Sequence, residues 1–175
     1  MEAVNASKDH PARILIVDDH AIVRYGIGVL LSGVNDLMLC GEAGTYDEAL
    51  VAFRELRPDV AVIDLILQHR SGLDLIRELR ENGVKIPLLV LSMHDEVTHA
   101  EKALRAGAQG YLMKEDADAV LIEALRTVLK GKLYVSDELH EKLLRSQIET
   151  DDDPDSGGVE SFTEREREIF ELIGK

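Results

Sequence analysis

Tryptophan is absent from the 175 residues, aromatic side chains make up only 4%, and Cys40 is the one cysteine. A single thiol excludes an intramolecular disulfide and a cysteine-based zinc site. Its neighbours Leu37, Met38, Leu39 and Ala43 predict a thiol buried in a strand. With so few aromatics, the core must be built from Leu, Ile, Val and Ala. Basic charge is also scarce: 20 Lys and Arg stand against 34 Asp and Glu, a formal charge of −14. A surface this acidic repels nucleic-acid phosphate and anionic lipid, so these residues should bind DNA poorly by themselves. Apolar runs of membrane-spanning length are missing. The opening MEAVNASKDHP has no basic start followed by an apolar stretch. Residues 1–11 therefore read as a flexible tail, and the chain as a cytoplasmic protein without membrane contact.

Apolar residues make up 45% and charged residues 31%, an ordinary globular balance. From Ala12 to Lys130, short apolar runs alternate with amphipathic stretches. The runs are Ala12–Val17, Asp36–Cys40, Val60–Ile63, Ile86–Leu91 and Gly110–Met113. Several are apolar nearly throughout, which marks strands covered on both faces, as in a parallel sheet.

Between the runs, helical stripes repeat at intervals of three and four. The first, in His20–Leu31, is Ile22, Gly26, Val29 and Leu30; the second, in Tyr46–Leu56, is Ala49, Leu50, Phe53 and Leu56. Leu75, Ile76 and Leu79 form the third, Val97, Ala100 and Leu104 the fourth, and Val120, Leu121, Ala124, Leu125, Val128 and Leu129 the fifth. Five strand–helix units predict an α/β, flavodoxin-like (βα)5 doubly wound parallel sheet, strand order 2-1-3-4-5, over residues 12–133. Residues 134–160 read as a linker helix, capped by Ser136 and reaching about Ile148, then the acidic linker ETDDDPDSGGVE. In residues 161–175, Thr163 and Glu166 form a capping box that starts a further helix.

Functional groups in such sheets gather at the carboxyl ends of the strands. The first strand ends in Asp18–Asp19, the third in Asp64, the fourth in Ser92 and the fifth at Lys114. Crowded carboxylates invite a hard divalent cation, and Mg²⁺ suits a few carboxylates, waters and phosphate oxygens. Lys114 offers a point charge and Ser92 a hydrogen bond to a phosphoryl group, with Asp64 as the nucleophile. Singly, an acid at a strand end is usually solvated or caps a helix, and a lysine there lies on the surface. In phase at four strand ends, the set is better read as one site.

The stretches ILIVDDHAIVRYGIGVLL (Ile14–Leu31), PDVAVIDL (Pro58–Leu65) and RAGAQGYLMKE (Arg105–Glu115) resemble receiver domains of response regulators, and VDDH resembles the NarL/LuxR type. The resemblance implies that Asp64 accepts phosphate from a sensor histidine kinase. It implies that Asp18 and Asp19 organise Mg²⁺, Asp19 more directly, with the main-chain carbonyl of Ile66 completing the protein ligands. Ser92 matches the switch hydroxyl, Tyr111 the switch aromatic and Lys114 the lysine that contacts the phosphoryl group. Gly72 matches the glycine eight residues past the acceptor.

Where the family usually carries Met-Pro, the sequence has Leu67–Gln68, which predicts a freer loop beside the site; Glu115 replaces the proline that follows the lysine in many receivers outside this subfamily. FTEREREIFELI (Phe162–Ile173) resembles the first helix of a LuxR-type helix-turn-helix domain. A helix-turn-helix reads DNA with its second helix, so the expectation is a truncated chain, or a fragment of a longer transcription factor, whose DNA binding lies in the missing C-terminal domain.

The histidines form no ligand set, and solvated side chains are expected for all. Gly26–Ile27–Gly28 lacks the spacing of a dinucleotide loop. A Mg²⁺-dependent phosphohydrolase would need a second acid two residues after its nucleophile; that residue is Ile66. The expectation is thus a phosphoacceptor switch and not a turnover enzyme, with at most slow Mg²⁺-dependent self-phosphorylation and self-dephosphorylation. A degenerate receiver acting as a phosphorylation-independent interaction module is the alternative. Val23, Ile27 and Leu31, apolar beyond the first stripe, and Ile122 suggest homodimerisation on activation, with full burial in the core as the competing explanation; the helix Asp137–Ile148 is a second candidate contact.

Overall fold

The computed structural model describes residues 6–93, 97–136 and 139–142. In chain order the elements are β1 (Ala12–Val17), α1 (Ala21–Ser32), β2 (Leu37–Ala43), α2 (Tyr46–Leu56) and β3 (Val60–Asp64). A two-residue pair of short strands follows, β4 (Ile66–Leu67) and β5 (Arg70–Ser71), then α3 (Gly72–Glu81), β6 (Leu88–Ser92), α4 (Val97–Ala106), β7 (Gly110–Met113), a 3₁₀ turn (Lys114–Asp116) and α5 (Ala117–Leu129). The main sheet runs β2-β1-β3-β6-β7, with all pairs parallel. With the small β4–β5 hairpin set aside, this is the expected 2-1-3-4-5 order of a flavodoxin-like receiver.

The central strands are apolar throughout because helices cover both sheet faces. β3 and β6 are buried at every position. On one face Leu15, Val17, Ala61, Ile63, Leu88 and Val90 pack against α2, α3 and α4; on the other Ile14, Ile16, Val62, Leu89 and Leu91 pack against α1 and α5. Each fully buried Leu or Ile contributes about 1.5–3 kcal/mol. Local signals start the helices: Thr45 Oγ1 accepts from the Glu48 N–H at α2, and Ser71 Oγ from the Leu73 N–H at α3.

Helix α1 corrects one expectation. Ile22 is 75% and Val29 52% exposed, while Ile27 and Leu31 are 3% exposed. The core stripe is Val23, Ile27, Leu30 and Leu31, and the predicted one faces water with Tyr25, except for Leu30, which belongs to both. Both stripes satisfy helical spacing, so periodicity alone does not choose between them; packing of α1 on β2 and α5 does. Cys40 is half-buried on edge strand β2, and burial pushes its thiol pKa up.

Beyond α5 the chain stays on the domain. The Tyr134 N–H donates to the Gln109 carbonyl at 3.0 Å and the Tyr111 N–H donates to the Tyr134 carbonyl at 2.9 Å, so Tyr134 forms a parallel bridge to Gly110 at the β7 edge. Residues 139–142 are helical, and the Leu139 N–H donates to Ser136 Oγ at 3.2 Å. Leu139 is buried in the same apolar cluster as Tyr111. The rest of the helix expected to reach Ile148, residues 143–148, together with the acidic linker 149–160 and the LuxR-like helix of 161–175, lies outside the described residues.

Candidate functional site

Strand register assembles the site. β1 and β3 pair Val17 with Ile63, which sets Asp18 beside Asp64. β3 and β6 pair Asp64 with Leu91, and β6 and β7 pair Ser92 with Met113, which brings Ser92 and Lys114 to the same edge. Asp18, Asp64 and Ser92 are the buried polar residues among those described, each at most 4% exposed.

Lys114 sits between two acids. Its Nζ lies 2.8 Å from Asp64 Oδ2, to which it donates, and 2.6 Å from Asp18 Oδ2. Burial raises the Asp64 pKa, opposed by Lys114 and reinforced by the charge of Asp18. For Lys114, burial works to lower the pKa, but its close contacts with the Asp18 and Asp64 carboxylates outweigh it and the net direction is up. The ammonium stays charged while the carboxyl is held under electrostatic stress.

The acids also meet a histidine. His20 Nδ1 lies 2.7 Å from Asp19 Oδ1 and 3.3 Å from Asp18 Oδ1, and the His20 N–H donates to Asp18 Oδ1 at 2.8 Å. A solvated side chain is expected for His20 as for the other histidines; it is 61% exposed yet leans onto the acids. One ligand atom from each of Asp18, Asp19, His20 and Asp64 can be chosen so that all lie within 4.8 Å of one another. Asp18 Oδ2 and Asp19 Oδ1 are buried, each close to one nitrogen, Lys114 Nζ and His20 Nδ1, but with no aligned hydrogen bond. Oxygen atoms so crowded and so poor in donors fit a hard divalent cation. Receiver domains generally bind Mg²⁺ at such an acidic pocket.

The loop after Asp64 departs from the freer segment expected of Leu67–Gln68. Ile66–Leu67 and Arg70–Ser71 form an antiparallel hairpin with Gln68 and His69 at its tip. Leu67 is buried, and Gln68 adopts φ 54°. The Gln68 N–H donates to Asp19 Oδ2 at 3.1 Å. Arg70 stacks on Tyr46, 3.4 Å from the ring centroid, and donates to Asp47 Oδ1 at 3.2 Å. The Tyr46 hydroxyl donates to Glu78 Oε2 at 2.5 Å. Sequence reasoning missed this Arg70–Tyr46 contact, since nothing in spacing joins residues 24 positions apart. Tyr111 lies in the fold as a buried residue of β7, beneath the segment carrying Leu139.

Residues 14–126 match the family described as the response regulator receiver domain. The transcriptional activator protein ExaE of Pseudomonas putida is 37% identical over 167 residues, covering 93% of this chain and 75% of ExaE. The nitrate/nitrite response regulator protein NarL of Escherichia coli is 30% identical over 169 residues, covering 97% of this chain and 78% of NarL. Among solved structures, a LuxR-family two-component response regulator from Aurantimonas sp. superposes with a TM-score of 0.75 at 33% identity, covering 79% of this chain and 99% of the other. Receiver domains are signalling switches, and this chain belongs to that response-regulator family, in its NarL/LuxR-type branch.

Proposed function

We propose that Asp64 accepts a phosphoryl group from a sensor histidine kinase and that the resulting charge resets the surface beyond β7. The supporting observation is the buried cluster at one sheet edge, in which Lys114 Nζ bridges Asp18 and Asp64. An Asp64 oxygen attacks phosphorus in line; the P–O bond forms as the P–N bond to the kinase histidine breaks. Lys114 and the Ser92 hydroxyl hold phosphoryl oxygens. Asp18, Asp19, Asp64 and the main-chain carbonyl of Ile66 would hold Mg²⁺. Held there, the ion would supply positive charge that offsets the like charges of the acids and of the phosphoryl group. With Ile66 in place of a second acid, the chain supports at most slow Mg²⁺-dependent self-phosphorylation and self-dephosphorylation.

Recruitment of Ser92 toward the phosphoryl group lets Tyr111 shift. Tyr111 shares a cavity of about 120 Å³ with Met113, Asp116, Ser136 and Leu139. The signal therefore leaves through the segment that runs on toward 143–175, and controls a LuxR-type DNA-binding domain attached there. Reversing a 1:99 equilibrium requires about 5.5 kcal/mol of differential stabilisation, within reach of a dianion among Lys114 and Mg²⁺. Homodimerisation accompanies activation; the exposed residues Ile22, Tyr25 and Val29, rather than the buried Ile27 and Leu31, supply apolar surface for it. A cytoplasmic location is consistent with a receiver domain, and no helix among the described residues is long and apolar enough to cross a membrane.

Intact mass after incubation with acetyl phosphate, with and without Mg²⁺, tests the reading. One Mg²⁺-dependent phosphoryl adduct on the wild type, absent from Asp64→Asn, is expected. A folded wild type that takes up nothing would support the phosphorylation-independent interaction module instead.

A further inference from the structure

The hairpin beside Asp64 is strained, and something must hold it. A two-residue hairpin turn needs positive φ at its first position, and Gln68 supplies it at φ 54° with a side chain that disfavours it. Such backbone persists where its surroundings over-determine it. Leu67, buried in the core cluster, anchors one strand of the hairpin, and the Gln68 N–H on Asp19 anchors the tip. The other strand has Arg70, whose guanidinium lies on the Tyr46 ring and reaches Asp47. The ring itself is oriented from α3 through the Tyr46 hydroxyl on Glu78. A chain of contacts thus runs from α3 through α2 to the hairpin.

We propose that Arg70 is a positioning residue for the acceptor site: its stack on Tyr46 holds the hairpin so that Ile66 and Gln68 stay in place beside Asp64 and Asp19. The inference rests on the acceptor-site reading above. Arg70 touches none of the reacting groups. It acts by keeping the loop in the one conformation able to contribute to the site. A loop that samples others lowers apparent affinity by the fraction of time it spends away. The clamp takes over the stiffening that Met-Pro gives in other receivers, and it does so from outside the site.

The test compares Arg70→Ala, Arg70→Lys and Asp47→Asn in the full chain. For Arg70→Ala, amide hydrogen exchange at Gln68 and Arg70 in metal-free protein should quicken. Mg²⁺ affinity by calorimetric titration should fall about three- to tenfold, the range spanned by an exposed cation–π contact with an ion pair. The midpoint of thermal unfolding should hardly move, which separates positioning from general support of the fold. Arg70→Lys keeps a cation over the ring and should fall between. Asp47→Asn removes only the ion pair and should change Mg²⁺ affinity less than about twofold.

Wild-type exchange and Mg²⁺ affinity in Arg70→Ala would overturn the proposal. A loss in Asp47→Asn as large as in Arg70→Ala would overturn the stack as the clamp. If the wild type binds no Mg²⁺, the acceptor-site reading fails, while exchange in the metal-free proteins still decides whether Arg70 holds the hairpin.

Discussion

A methyl group on Gly72 would stand 2.0 Å from the main-chain oxygen of Asp64. The Gly72 N–H meanwhile donates to the Leu65 carbonyl at 2.7 Å, so the start of α3 is pressed against the backbone of the acceptor. Gly72→Ala should destabilise the fold by about 1–3 kcal/mol, the usual range for overpacking. It should also slow phosphoryl uptake from acetyl phosphate. Urea unfolding beside a mass time course checks both; an Ala variant with wild-type values would mean that the helix start moves freely away from Asp64.

Asp64→Asn should stabilise the metal-free protein. Burial raises the Asp64 pKa, so the folded state favours the protonated acid. A raised carboxyl contributes most below its ordinary pKa, and that contribution is lost as pH rises through the folded value. At neutral pH, above its ordinary range, the buried acid therefore works against folding, and a neutral replacement that leaves Lys114 paired with Asp18 should gain about 1 kcal/mol. The gain should shrink as the buffer is taken toward pH 4. Urea midpoints of both proteins at the two pH values decide it.

Lys114→Met should do the opposite. It leaves the buried carboxylates of Asp18 and Asp64 without their ammonium, a loss of about 3 kcal/mol when one partner of a buried pair is removed. The Lys114 pKa is raised, so its contribution is complete at neutral pH and disappears only in strong alkali as pH passes its folded value. In the double variant with Asp64→Asn the losses should not add, because fewer charges remain unpaired.

Leu139→Ala should loosen the segment beyond α5 and leave the sheet intact. The expected loss is about 2 kcal/mol, the low end for a buried leucine, because the segment can detach instead of leaving a cavity. Gly110→Ala should act on the same contact from below. Its Cβ would lie 3.0 Å from the Tyr134 carbonyl and 2.7 Å from Leu89 Cδ1. Faster proteolysis after Leu133, with unchanged amide protection in β3 and β6, is the expected signature for each.

Most of this architecture was legible in the sequence because parallel strands buried on both faces leave unbroken apolar runs. Ala12–Val17 and Gly110–Met113 form strands with the predicted limits, and α2 spans the predicted Tyr46–Leu56. The juxtaposition of Asp18, Asp64, Ser92 and Lys114 was legible too, since in-phase strands deliver their ends to one edge. The buried face of α1 was not, because Ile22–Val29 and Ile27–Leu31 offer equally good stripes and tertiary packing selects between them. The hairpin at Leu67–Gln68 escaped notice because neither Gly nor Asn marks its positive φ. Only the fold brings Arg70 to Tyr46.

The bridge between Gly110 and Tyr134 has a practical side. An outermost strand with unmet N–H and C=O groups is a template for other chains, and proteins guard against that by covering it. Here β7 is guarded by the polypeptide's own continuation. Shortening the protein to the end of α5 would strip the guard and leave an adhesive margin, so fragments meant to stay dispersed at high concentration should retain residues through at least Lys142.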